Sequence, residues 1–207
     1  MKKQNKYIYD ELLKMFPDAG CELNYSSVFE LTIAVVLSAQ TTDVSVNKVT
    51  EELFRRYPDA YSLSKAGIKD VEDIIRSIGL YRNKAKNIVL LSQELVKRFD
   101  GNVPDNMEDL CSLPGVGRKS SNVILSECFG KEAIAVDTHV ERVSKRLGIA
   151  EENDSVLKVE EKLNASFDSE LWHKLHHLMI HFGRYKCTSR NPDCTDCPFK
   201  VFCNYNK

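Results

Sequence analysis

Three groups of residues have the types and spacings that chemistry needs. The first is the stretch Leu113-Pro-Gly-Val-Gly-Arg-Lys119. Pro114 fixes one φ angle, and Gly115 and Gly117 admit conformations closed to other residues, so the stretch reads as a tight turn. A helix is predicted from Arg118 to about Phe129, stopped by Gly130. Ser121, Ile124, Leu125 and Cys128 share one face of that helix, and Lys119 lies on the other. Free N–H groups of a glycine turn and of a helix N-terminus form an anion site. The glycine spacing is not that of a P-loop. With Met107 to Cys111 as the end of a preceding helix, it suits a helix-hairpin-helix, which grips a nucleic-acid phosphate without reading base sequence. The plainer alternative is an ordinary αα turn carrying a solvated lysine.

The second group is Asp137 together with Lys119. An Asp just before a helix is usually its N-cap. Here Thr138 and Glu141 have the spacing of a capping box, so Asp137 is expected to be less needed as a cap and to point elsewhere. One helix and a short return separate it from Lys119, enough to bring both onto one wall. A lysine with a carboxylate partner suits a nucleophile with an electrostatic or proton-transfer assistant. From these two residues alone, an ordinary ion pair is the simpler reading. The third group is Cys187, Cys194, Cys197 and Cys203, in the pattern C-x6-C-x2-C-x5-C. Four thiolates this close in a chain without a secretion signal mean a metal site. A single C-x-x-C with wide outer spacings suits the larger core of a [4Fe–4S] cluster better than zinc, which remains the alternative. His173, His176, His177 and His181 crowd one helix without a His-Glu-x-x-His pattern, and read as packed or solvated side chains.

The elements that must position these groups are helical. Apolar stripes of helical period run through residues 4–16, 28–37, 46–53, 69–78, 83–99, 156–163 and 171–182. Ser27 with Glu30, Thr42 or Asp43, and Asp168 are the expected N-caps, and Gly79, Gly148 and Gly183 the expected stops. No convincing alternating strand occurs, so the fold class is all-α. Gly79 to Ile88 faintly echoes the central hairpin, with Lys84 matching Lys119 and Asn87 matching Asn122. At 207 residues and 43% hydrophobic, the chain has enough apolar material for a sizeable core. The net charge of −1 excludes a globally basic nucleic-acid binder, so a nucleic-acid contact must use a local patch. No apolar stretch is long enough to span a membrane, and the N-terminus has no signal-peptide core, so a cytoplasmic protein is expected. The odd total of seven cysteines argues against a disulfide framework.

Together, Leu-Pro-Gly-Val-Gly-Arg-Lys119, Val-Asp137-Thr-His, Leu-Ser-Ala-Gln40-Thr-Thr-Asp and the cysteine tail strongly resemble the endonuclease III family, the iron–sulfur DNA glycosylases of the helix-hairpin-helix superfamily. The resemblance runs from about Leu31 to Cys203 in the family's order. It implies a bifunctional DNA N-glycosylase and AP lyase that removes damaged pyrimidines, oxidised ones foremost, from duplex DNA and cleaves 3′ to the abasic site. It implies two helical domains, 21–132 with the hairpin and 1–20 plus 133–207 with the cluster, and DNA in the cleft between them. Lys119 and Asp137 stand at the positions of the catalytic lysine and aspartate. Gln40 matches the residue that fills the gap left by a flipped nucleotide, and Leu80 the residue that wedges into the opposite strand. Gly115, Val116, Gly117, Arg118 and His139 belong to the same implied DNA contacts, and the four cysteines match the [4Fe–4S] ligands. A monomer is expected. One departure stands out. The loop between the first two cysteines, basic in familiar members, is Thr-Ser-Arg190-Asn-Pro-Asp193 here, which implies a weaker grip on phosphate. The alternatives are an adenine-mismatch glycosylase, which typically lacks the lysine and carries a further domain not expected here, and a non-catalytic hairpin DNA binder.

Overall fold

The computed structural model describes residues 1–206, and among them every regular element is helical. The all-α expectation therefore holds. Contacts divide the chain into two compact units, Met1–Cys21 with Lys131–Lys207, and Glu22–Gly130.

The first unit opens with α1 (Lys3–Met15), which buries Ile8 and Leu12. The second unit is built on α2 (Val28–Leu37), where every residue except Val28 and Glu30 is buried. Its start is fixed as the sequence suggests: Ser27 Oγ accepts from Glu30 N at 3.1 Å, and Glu30 Oε2 accepts from Ser26 N. Next come α3 (Asp43–Arg56), capped by Thr42, then α4 (Ala60–Ser64) and α5 (Ile68–Ile75). The long α6 (Tyr81–Phe99) packs against α4, α5 and α2. The unit closes with α7 (Met107–Cys111) and α8 (Arg118–Phe129), the latter ending at Gly130 in the left-handed region as the sequence requires.

The chain then returns to the first unit with α9 (Thr138–Arg146), α10 (Val156–Ser166) and, after a 3₁₀ turn, α11 (Trp172–Tyr185). Leu175, Leu178, Met179 and Phe182 of α11 form its core with Val140 and Val143 of α9. His176 is buried and its Nδ1 meets Ala135 O at 2.9 Å, so this histidine fastens the 133–136 run to α11. Two sequence expectations fail here. Asp168 makes no capping hydrogen bond to the 3₁₀ turn, and its carboxylate lies instead 3.5 Å from the Met1 amine. Gly183 does not stop α11 but lies inside it. A Cβ there would come to 3.0 Å from His139 Cβ and 3.2 Å from Val143 Cγ2, so glycine is needed to let α11 approach α9.

Candidate active site and metal centre

The hairpin turn is anchored by two buried apolar residues, Leu113 and Val116, with Val116 N donating to Leu113 O at 3.1 Å. Gly115 has φ +79°, and a Cβ there would meet Val36 Cγ1 and Asn87 Nδ2 at 3.1 Å. Glycine is thus required at 115 both by conformation and by space. The same reading fails at Gly117. Its φ of −110° and ψ of 179° are ordinary extended backbone, the N-cap of α8. Its role is steric openness: nothing lies within 4 Å of a Cβ built there, and no side chain caps α8. The N-cap residue thus offers no side-chain acceptor to the first N–H groups of that helix, which form its positive end. Lys119 is the second residue of α8 and is exposed beside them, as is Arg118.

Two further candidates sit on strained backbone in the same unit. Gln40 (φ 54°) and Leu80 (φ 57°) both occupy the left-handed region and both are exposed, Leu80 at 57%. For residues other than glycine, each such conformation costs about 1–2 kcal/mol. Beside them lies Lys84, which the sequence echo had paired with Lys119. The echo does not extend to its environment: Lys84 is 4% exposed, and its Nζ donates to Thr41 Oγ1 at 2.6 Å. Burial pulls its pKa below the ordinary lysine value.

In the other unit, Asp137 corrects a sequence expectation. It is itself the N-cap of α9: Oδ1 accepts from both His139 N and Val140 N at 2.8 Å. Its extended backbone swings the carboxylate over the helix end, which Thr138, already helical, cannot do. Both bonds use one oxygen, so Oδ2 is left for other partners.

The same helix carries two arginines that sequence reasoning missed. Arg142 Nη2 donates to Gly183 O at 2.7 Å and Cys187 O at 3.1 Å, and lies 3.2 Å from His139 Nδ1. Arg146 Nη1 donates to Thr188 O at 2.7 Å and Cys187 Sγ at 3.2 Å, while Nη2 reaches Ser189 O at 2.9 Å. Spaced i, i+4, they hold the start of the cysteine loop from one helix face. That spacing was the available signal. The four cysteines are free thiols, Cys187 and Cys203 buried and the other two half-buried. Burial pushes the Cys197 thiol up, and the Cys187, Cys194 and Cys203 sulfurs push the same way. Four thiolates converging like this call for a cationic core. Four sulfur donors on one short segment, two of them buried, make a donor set that suits an iron–sulfur core. Asp193, the acid of the loop, is paired with Lys186 at 3.1 Å and accepts from Thr195 N, so its charge is matched locally.

Known proteins decide the family. A family model described as HhH-GPD superfamily base excision DNA repair protein matches residues 33–168. Endonuclease III of Bacillus subtilis (strain 168) is 49% identical over 201 residues, covering 97% of this chain and 92% of the relative. The chain belongs to the endonuclease III family. Endonuclease III of Escherichia coli (strain K12) is 42% identical over 206 residues, 100% of this chain and 97% of that one. A solved structure of a trapped endonuclease III–DNA covalent intermediate matches with a TM-score of 0.95 and 50% identity, covering 100% of this chain and 98% of that chain. A thermostable thymine-DNA glycosylase, 23% identical with a TM-score of 0.89, shares the fold. As an endonuclease III family member, the chain is a DNA glycosylase and AP lyase of base excision repair.

Proposed function

We propose that this enzyme removes damaged pyrimidines, oxidised ones foremost, from duplex DNA, that it works in the cytoplasm and, in a bacterium, at the nucleoid, and that Lys119 performs both of its chemical steps. The observation that carries this is the placement of Lys119: an exposed amine on the first turn of a helix whose N-cap, Gly117, supplies no capping side chain and leaves open space around it. Such a helix end attracts a backbone phosphate and so delivers the adjoining sugar to the lysine. Domain 21–132 supplies this hairpin, and 1–20 with 133–207 supplies Asp137 and the cysteines.

A base inside a duplex is out of reach, so the nucleotide is flipped out, at a cost of a few kcal/mol that is least for a damaged or mispaired base. Gln40 and Leu80 occupy the space it vacates, while Gly115, Val116, Gly117, Arg118 and His139 hold the backbone around it. The Lys119 amine attacks C1′ through its nitrogen lone pair, the glycosidic bond breaks, and the base leaves with its electron pair and takes up the proton that the nitrogen gives up. The sugar ring opens to a Schiff base with Lys119. Loss of the C2′ proton then expels the 3′ phosphate by β-elimination, and water releases the lysine. Asp137 Oδ2 stabilises positive charge developing on the sugar, while Oδ1 stays committed to the α9 cap.

Cys187, Cys194, Cys197 and Cys203 would hold a [4Fe–4S] cluster, which when bound would tie the loop they lie on together. Arg142 and Arg146 position that loop through its carbonyls. Borohydride reduction in the presence of abasic duplex tests the enzymatic reading. A covalent protein–DNA adduct is expected, and a protein that merely binds DNA would stay free.

A further inference from the structure

Among the described residues of the unit Glu22–Gly130, Lys84 is the only buried charged side chain. Taking an ammonium from water is costly unless carboxylates or several acceptors surround it. Here the contact found is one hydroxyl, Thr41 Oγ1 at 2.6 Å. A methionine would fill the same volume without that cost, so the cation must secure something else.

What it secures is visible in its bonds. The Nζ of Lys84 holds Thr41, the residue next to Gln40, and its backbone N–H donates to Leu80 O at 3.1 Å. Lys84 therefore reaches two of the three turns in which an exposed residue other than glycine is kept at positive φ, through its side chain at Gln40 and through the first-turn helix bond at Leu80; the third, at Asp100, lies at the far end of α6. The two turns also lie against each other: a Cβ on Gly79 would be 4.0 Å from Gln40 O. Strained backbone persists only where its surroundings over-determine it, and Lys84 is the link common to both sites.

We propose that Lys84 is a positioning residue, whose tie to Thr41 locks the Gln40 and Leu80 turns into one preset wedge that distinguishes a gapped duplex from an intact one. The inference rests on the reading of Gln40 and Leu80 as the DNA-filling residues. Without the tie each turn relaxes toward ordinary backbone before DNA arrives, and restoring the wedge draws on binding energy. The loss falls on duplexes that the wedge enters. Intact duplex, held through phosphates alone, is bound as before.

The test titrates Lys84→Met, Thr41→Val and the double variant against a duplex carrying a tetrahydrofuran abasic-site analogue and against the same duplex intact. Each single variant should bind the analogue about tenfold more weakly and intact duplex within about twofold of wild type. The double variant should be no weaker than Lys84→Met alone, because the two changes remove one interaction. Borohydride should still trap both variants at saturating abasic DNA. An unchanged preference for the analogue overturns the proposal. Equal losses on both duplexes also overturn it, by making Lys84 a general binding or folding residue. Loss of the trapped adduct with binding intact overturns it by making Lys84 the nucleophile. If Lys84→Met fails to fold, Thr41→Val carries the same comparison with the lysine retained. Failure of the wild type to form an adduct would instead count against the lyase reading, so the two failures are distinguishable.

Discussion

Lys119 and Asp137 have different structural burdens, and substitutions should separate them. Lys119 is exposed and has no part in the core, so Lys119→Gln should fold with wild-type stability. One amine serves both chemical steps, so base excision and strand cleavage should vanish together while abasic DNA is still bound. A wild-type rate of borohydride trapping in this variant would transfer the role to another amine. Asp137 does carry structure, because its Oδ1 satisfies two N–H groups of α9. Asparagine caps as well as aspartate, so Asp137→Asn should unfold near the wild-type midpoint yet excise a damaged base more slowly by a factor on the order of 100. Cleavage at a preformed abasic site should suffer less, since its open-chain aldehyde condenses with Lys119 without base departure. Asp137→Ala should add a loss of about 1 kcal/mol in denaturant unfolding. Equal stability of the Asn and Ala variants would show that the cap contributes nothing. The sequence pointed to Asp137 but misjudged it. The spacing of Thr138 and Glu141 fits a capping box, yet which residue caps is set by backbone angles that spacing does not reveal.

Glycines show the same ambiguity at the scale of elements. Six of them read as turns or stops in the sequence, and not all are. Gly115 combines positive φ with side chains 3.1 Å from where a Cβ would sit, so Gly115→Ala should cost about 2 kcal/mol or more and distort the hairpin. Gly117→Ala should stay within about 1 kcal/mol of wild type, because its backbone suits any residue and the space is open. It should nevertheless weaken DNA binding by placing a methyl over the N-terminus of α8. Thermal melts and duplex titrations on the pair test this, and a Gly117→Ala variant that binds DNA as wild type does would remove the hairpin from the interface. Gly183→Ala pushes α11 off His139 and Val143, with an expected loss of about 1–3 kcal/mol in denaturant unfolding. It also disturbs the carbonyl that Arg142 holds, so the cysteine loop should become more open to proteolysis. Helix α8 was legible end to end because a turn, an amphipathic stripe and a left-handed glycine all agree on it. Gly183 was not, because one letter serves both to end a helix and to let two helices touch. The Lys84–Thr41 contact was out of reach for another reason: its partners are 43 residues apart, and nothing local announces a lysine that turns inward.

For the whole molecule, charge is the property that composition misleads about. A net charge of −1 spread evenly would repel DNA. Much of the acid is already spoken for by neighbouring bases: Glu52 by Arg55 and Arg56, Asp154 by Lys162, Asp193 by Lys186. Hydrogen bonds from Arg55 and Arg56 hold the Glu52 carboxyl down at about 2, so this exposed cluster keeps its charges paired at every physiological pH. The loop from Thr188 to Asp193, whose acid implied a weaker grip on phosphate, has that acid matched by Lys186 just outside it. DNA affinity should therefore depend on the bases beside the hairpin turn, Arg118 and Lys119 among them, and not on net charge. Each neutralised phosphate contributes about −0.9 to the slope of log affinity against log salt, so some five contacts would cost roughly 10²–10³ in affinity between 50 and 200 mM salt. Removing one contact with Arg118→Ala should flatten that slope by about 1. Asp193→Asn should leave it unchanged, because the charge it deletes is already balanced by Lys186. A steeper slope in Asp193→Asn would mean that Lys186, once released, becomes a phosphate contact, and that the cysteine loop faces the DNA after all.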